Sequence, residues 1–322
     1  MSRGVSLFLW ALLGAVFLLS LLLPWTSLSE LLRDDRVLGL AVLQELRLPR
    51  ALLALTYGAM LGASGAAIQG LFANPLASPD LTGTTSGAAL GAVLTAYIFG
   101  FSAPIALSLG SIAGALGALL LLLFLAGRRA ETATLLLSGL AISALAGALT
   151  TLALALAPSP FAFYDAYDWL MGSLVDRSLA QAAFAAAPAL VCIALLMRLR
   201  AALDSLTLGE EVAQSLGYDM GRLRLWVVSL SALGVGACVA ICGAIGFIGL
   251  IAPIFARRLT GGHPGRAILP AALIGAALLL VADLVVRGAP LGRTLPIGVV
   301  TALLGAPFFL WLVGHMRWRL GR

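Results

Sequence analysis

The sequence predicts an all-α polytopic membrane protein of about ten transmembrane helices, built as one domain over residues 1–322. Three observations carry this. Of the 322 residues, 61% are hydrophobic and 11% charged, with a mean hydropathy of +1.06. A soluble domain of that makeup would expose too much apolar surface to stay dispersed. Apolar runs recur along the chain, and a hydrocarbon core about 30 Å thick takes roughly 20 such residues per helix. Inside those runs small residues recur at helix-contact spacing, as GAMLG (58–62), GAALG (87–91) and GSIAG (110–114). Such motifs let helices approach closely in lipid and read as tight bundle packing.

The spans follow in order. The first, 5–25, ends in LPWTSLSELL with no small-residue cleavage site, so it is expected to remain in the chain. The second, 50–72, opens after the basic RLPR and closes at the prolines of ANPLASPD. The third and fourth, 83–101 and 104–127, are parted by FSAP. The fifth, 133–157, begins past Arg128 and Arg129, and the sixth, 178–197, ends at MRLR. The seventh and eighth, 223–243 and 245–259, share one apolar stretch. One of them is therefore short or bent, and the glycines of CGAIGFIGLIAP permit a bend. The ninth, 268–287, and the tenth, 296–315, complete the bundle.

All 20 basic residues are arginines. A P-loop needs a lysine on the phosphates, so the chain cannot hydrolyse ATP by that route. With the N-terminus inside, thirteen arginines fall in cytoplasmic segments and seven outside. That bias places both termini in the cytoplasm. Four of the outer arginines, Arg33, Arg36, Arg47 and Arg50, crowd before the second span. Cys192, Cys238 and Cys242 lie in apolar runs and read as small buried residues. With only His263 and His315 beside them, no metal site is expected. The GASG at 62–65 matches the Gly-x-Ser-Gly pattern of intramembrane serine proteases. Such a serine needs a general base, and both histidines sit at or beyond span ends, so Ser64 reads as a packing residue. Asp283 is the one acid well inside a span, a functional candidate by position. Its plainer reading is an ion pair with Arg287, one helical turn along.

Two polar segments interrupt the pattern. In QGLFANPLASPDLTG (69–83), Asn-Pro and Ser-Pro stop a helix and set a turn. In ALDSLTLGEEVAQSLGYDMGRLRLW (202–226), Thr207 and Glu210 form a capping-box pattern. Glu210 and Glu211 fall in the first helical turn, favourable for the dipole. Leu208, Val212 and Leu216 make one apolar stripe. Gly217 is placed to end this helix, and Asp219 to cap the next. A short cytoplasmic helix with an apolar stripe must bury it, on its own bundle or in a groove on a partner protein.

Five blocks then resemble a known family, in order: LRLPRALLALTYGAMLGASGAAIQGLFANPLASPDLTGTTSGAALGA, LTLGEEVAQSLG, GAIGFIGLIAP, ADLVVR and LPIGVVTALLGAPFFLWLV. From residue 46 to about 313 the chain is similar to the permease subunits of type II ABC importers for iron–siderophore complexes, haem and vitamin B12. Many members follow the proline of the GLIAP block with histidine. Here Ile254 stands, and the position is assigned no role.

The resemblance implies a homodimer with a translocation path between two copies in the cell inner membrane. Two cytoplasmic ATPase subunits hydrolyse ATP with Mg, and an extracytoplasmic binding protein delivers substrate. The chain itself binds no cofactor directly and is not an enzyme; its partners include the lipid bilayer and no nucleic acid. By resemblance, the segment 201–222 couples to the ATPase through Leu208, Gly209, Glu210, Glu211, Val212, Leu216 and Gly217. Asn74 and Leu76 contribute to a cytoplasmic gate, faced by Thr132 and Thr134. Arg47, Arg50 and Arg287 meet acidic residues on the binding protein. The expected cargo is an iron–siderophore complex, with haem or vitamin B12 as alternatives. A membrane enzyme or a self-gated channel is the reading from another class. The first lacks a catalytic base, and the second has no use for a coupling helix.

Overall fold

The computed structural model of the chain describes residues 3–24, 29–30, 33–101, 103–127, 132–288 and 295–320, and every regular element among them is helical. Of the arginines counted for orientation, Arg128, Arg129, Arg293 and Arg322 lie outside the described residues, as does the end of the first span at residue 25. The helices are α1 (Arg3–Leu22), α2 (Arg36–Leu71), α3 (Thr84–Tyr97), α4 (Pro104–Ala126), α5 (Thr132–Ala155), α6 (Pro160–Leu170), α7 (Leu179–Arg198), α8 (Arg200–Ser205), α9 (Glu210–Ser215), α10 (Met220–Cys242), α11 (Ile248–Leu259), α12 (Pro264–Gly288) and α13 (Ile297–Leu320). Seven of them, α1, α2, α4, α5, α7, α10 and α12, are long and apolar enough to cross a membrane. α13 holds a shorter apolar stretch, Ile297–Trp311, and α3 and α11 stand where the third and eighth spans were expected.

Burial sorts the long helices into two layers. The apolar stretches of α2, α10 and α12 are 83%, 78% and 61% buried, against 22–33% for α1, α4, α5 and α7. The first group is the core and the second lies at the surface of the single chain. Small residues let the core close. Gly58 and Gly62 of α2 lie against Gly275 and Ala271 of α12, where a Cβ on either glycine would overlap the facing carbonyl. GAALG and GSIAG are the two sides of a second crossing: Gly87 and Gly91 of α3 meet Gly114 and Gly110 of α4. The packing motifs read in the sequence are thus two tight helix contacts.

The start of the second span differs from expectation. The second span does not start at residue 50; α2 begins at Arg36 and runs 36 residues without a break. Pro49 lacks an N–H and its ring crowds the preceding turn. That turn widens to π geometry over Val42–Arg47, with Leu48 N bonding back to Leu43 O, so the helix carries on through the proline. Arg47 and Arg50 therefore sit inside a continuous helix rather than ahead of one.

Of the seventh and eighth spans, α11 is the short one, at 12 residues. The break before it holds Gly243 at φ 72 and Phe247 at φ 66. Backbone groups at membrane depth need protein partners. The fully buried Tyr57 supplies them: its hydroxyl donates to Gly243 O at 3.2 Å and accepts from Ile245 N at 3.3 Å.

Candidate functional site

Three places gather the residues singled out by the sequence. The first is the turn after α2. Ala73 takes φ 47, and Asn74 Oδ1 accepts from Leu76 N at 2.9 Å. Asn74 O accepts from Ala77 N at 3.2 Å, a 3-10 turn follows over Pro79–Thr82, and Gly83 at φ 77 leads into α3. Asn74 and Leu76 are both half-buried.

This segment does not stay at the membrane face. A Cβ on Gly249 would lie 2.9 Å from Pro79 Cδ and 3.1 Å from Leu61 O, so all three share one level. Leu61 is ten residues before the end of α2, about 15 Å back along the helix. Leu81 O abuts Gly139, which lies two turns inside α5. Residues 73–83 therefore fold back into the bundle, and α3 starts at that depth. Its 14 residues, about 21 Å of helix, complete the crossing. The sequence suggested a plain turn followed by a full span from 83. Re-entry is possible because local side chains satisfy the bent backbone. Thr82 Oγ1 donates to Pro79 O at 2.7 Å, and Ser143 Oγ to Asp80 O at 3.3 Å. Thr85 Oγ1 donates to Asp80 Oδ1 at 3.0 Å, and the fully buried Gln69 donates through Nε2 to Leu250 O at 3.2 Å.

α5 reaches this segment through Gly139, Ile142 and Ser143. Thr134 is exposed near the start of α5, and the Thr132 side chain lies outside the described residues.

The second place is the segment 201–222. The capping box does not form. Thr207 Oγ1 donates to Asp204 O at 2.7 Å, and Gly209 at φ 99 stands as the cap of α9 with no side-chain bond. The cause is a 3-10 turn over Leu206–Leu208, which turns Thr207 away. Glu210 instead takes Arg224 Nη2 of α10 at 2.7 Å to each carboxylate oxygen. The exit is as expected: Gly217 at φ 90 bonds to Gln214 O and Tyr218 N to Ala213 O, the paired reverse bonds of a glycine-terminated helix. Asp219 caps α10 through Arg222 N at 3.0 Å. Ala213 is buried beneath α9, while Leu208, Val212 and Leu216 are 65%, 44% and 60% exposed. Glu211 shares their outer surface.

The third place brings together the three arginines expected to meet the binding protein. Asp283 of α12 is fully buried, with Arg287 Nη2 at 2.5 Å one turn along and Arg50 Nε of α2 at 2.6 Å. Arg287 also donates to Ser20 O of α1 at 2.7 Å. Arg47, itself buried, donates to Leu21 O at 2.9 Å and Pro24 O at 3.3 Å. Three guanidiniums and one carboxylate tie α1, α2 and α12 together, with a positive excess. The Asp283–Arg287 pair is the one the spacing predicted. Arg50 as second partner was not foreseen, nor was Tyr57 as the partner of broken backbone or Gln69 as a bond to Leu250 O of α11. A lone tyrosine and a glutamine inside an otherwise apolar span were the available signals.

The FecCD transport family matches residues 7–315. The Fe(3+)-citrate import system permease protein YfmE of Bacillus subtilis is 40% identical over 274 residues, 84% of this chain and 81% of that one. The vitamin B12 import system permease protein BtuC of Vibrio cholerae is 39% identical over 316 residues, 95% of this chain and 89% of its own. Among solved structures, a chain described as the inward-facing conformation of a candidate metal-chelate type ABC transporter superposes with a TM-score of 0.87 at 34% identity, covering 98% of this chain and all of that one. Matched from its first span to its last and with its helices in the same arrangement, the chain belongs to the FecCD transport family of type II ABC importer permeases.

Proposed function

We propose that two copies of this chain enclose a path through the inner membrane, with both termini cytoplasmic, and pass an iron–siderophore complex inward. A binding protein outside delivers the complex, and two separate ATPase subunits drive the cycle. The observation that carries the driven, partnered reading is the segment 201–222. It exposes Leu208 at the end of the 3-10 turn, and Val212 and Leu216 on and just after the short α9, which glycine closes at both ends. Apolar side chains held outward in this way suit a groove on a partner. In the same reading Asn74 and Leu76 form part of the inner gate, and Arg50 and Arg287 present the residual positive charge of the outer cluster to acidic groups on the binding protein. The Fe(3+)-citrate relative favours an iron(III) chelate as cargo. The longer match to a vitamin B12 permease supports the corrinoid as a second reading.

The test is uptake into proteoliposomes holding the permease with its ATPase and binding protein. Radiolabelled ferric siderophore and radiolabelled cobalamin are offered separately, with and without ATP. ATP-dependent uptake of the ferric complex alone supports the reading, uptake of cobalamin alone replaces the cargo, and uptake of either without ATP overturns the driven mechanism.

A further inference from the structure

The side chain of Asp204, on the six-residue α8 at the start of the segment 201–222, has no role in the reading so far. Its carboxylate points away from the segment's outer surface and onto the start of α12. Asp204 Oδ1 accepts from Gly265 N at 2.8 Å and Arg266 N at 3.3 Å. It thus caps a helix that starts some sixty residues later, satisfying N–H groups that α12 cannot bond internally. Arg266 Nε lies 3.7 Å from Asp204 Oδ2, and His263 Nδ1 is 4.0 Å from Oδ1. The backbones meet as closely: a Cβ on Gly265 would overlap Arg200 O.

The same junction holds the end of α2. Leu203, fully buried on α8, lies against Gly70, and a Cβ on Gly70 would come within 2.7 Å of Pro264 Cβ. Gly70 is four residues before Asn74, and Ala73 N bonds back to Gly70 O at 3.3 Å. The chain therefore runs from the exposed stripe through α8 to a foot shared by α12 and α2, and from that foot straight into the inner turn. Among the described residues, the side-chain-to-backbone bonds that join α8 to α12 come from Asp204. Packing alone lets α8 slide on α12, whereas a bifurcated carboxylate acceptor at a helix start fixes both direction and distance.

We propose that Asp204 is the positioning residue that fixes the coupling segment to the common foot of α12 and α2, so that displacement of the segment by the ATPase reaches the turn at Asn74. The inference rests on the coupling reading of segment 201–222 and adds the route by which coupling reaches the inner turn. Asp204 acts through α12 and touches neither cargo nor nucleotide.

The experiment uses the full complex with ATPase and binding protein in nanodiscs and proteoliposomes. Asn74→Cys is introduced as a thiol reporter; the native cysteines are buried and give a low background. Labelling at that position is measured with and without nucleotide, alongside ATP hydrolysis and cargo uptake per ATP. Asp204→Ala is expected to retain the ATPase in the complex, because the stripe is untouched. Cargo moved per ATP should fall on the order of tenfold, within the range of known coupling effects, and labelling should stop responding to nucleotide. Asp204→Asn keeps an oxygen acceptor for Gly265 N and should restore most of both. A purely structural role would lower yield and thermal stability in both variants and leave the per-ATP ratio of the folded complex unchanged, which overturns the proposal. So does nucleotide-responsive labelling in Asp204→Ala. Should that variant not assemble, Asp204→Glu moves the acceptor by one methylene with the charge kept, and normal cargo per ATP in it is equally decisive against. Failure of the underlying coupling reading looks different: the reporter then ignores nucleotide already with Asp204 in place, and both ideas fall together.

Discussion

Arg50 and Asp283 lie 233 positions apart in the chain and 2.6 Å apart in the fold. The aspartate is fully buried and also holds Arg287, so among the described residues it is the one anion paired with these two largely buried guanidiniums. Removing it leaves two buried charges uncompensated, whereas removing Arg50 leaves the pair on α12 intact. Taking one partner from a buried ion pair costs about 3–5 kcal/mol. Asp283→Ala is therefore expected to lower thermal stability in detergent strongly, and Arg50→Ala distinctly less. Equal losses from the two substitutions would show that the cluster is not centred on Asp283.

The cluster also sets which arginine tests docking. The Arg47 head is occupied by Leu21 O and Pro24 O, so its loss should loosen α1 and appear as stability. Arg50 uses only Nε on Asp283 among its described bonds, and its side chain is 16% exposed, the most open of the pairs in this cluster. Arg50→Gln should weaken binding-protein affinity in nanodiscs roughly tenfold at low salt, and flatten the dependence on salt, if a carboxylate of the partner meets it. Unchanged affinity at low salt, in protein of normal yield, removes Arg50 from the docking surface.

Local signals were legible in the sequence and non-local ones were not. Gly217 and Asp219 act as the end and start of helices because each works through backbone within a few residues. The three small-residue motifs mark close contacts because glycines at that spacing let two helix backbones approach. Pro49 misled because its usual effect is cancelled by a widened turn six residues long, which no residue type announces. The fold-back after Asn74 was hidden for a different reason. Whether a polar stretch lies at the membrane face or inside the bundle depends on partners such as Ser143 and Gly139, which belong to another helix.

That fold-back makes Gly139 a sharp probe. A Cβ there would overlap Leu81 O, which is backbone and cannot rotate aside. Gly147, on the same helix, has nothing near enough for a Cβ to meet. Gly139→Ala should cost about 1–3 kcal/mol by overpacking, while Gly147→Ala should be neutral or gain up to about 1 kcal/mol from helix propensity. Thermal unfolding of both in one detergent decides it. A neutral Gly139→Ala would mean that the segment 79–83 is free to move off α5.

Tyr57→Phe removes one oxygen and leaves Gly243 O and Ile245 N without their partner in the break between α10 and α11. The ring still fills its space, so the effect isolates the hydrogen bonds. Each buried unsatisfied group costs about 1–3 kcal/mol. A clear drop in thermal stability is expected, larger than for a tyrosine hydroxyl facing solvent such as that of the exposed Tyr164. No change would show that the break finds other donors.

Val212→Asp separates folding from assembly. In the isolated chain Val212 is 44% exposed, and it sits in the first turn of α9 beside Glu210 and Glu211. A carboxylate there meets water and the favourable end of the helix dipole, so the chain should fold and insert at normal yield. In contact with a partner groove the same carboxylate would be stripped of water, at a cost of several kcal/mol unless a cation answers it. Loss of the ATPase from the purified complex is therefore expected, with the thermal stability of the permease unchanged. Gln214→Ala, exposed on the same helix but not among the residues read as coupling, should leave assembly nearly intact and serves as the comparison. If the ATPase co-purifies with Val212→Asp at full yield, the exposed stripe is not the surface that holds it.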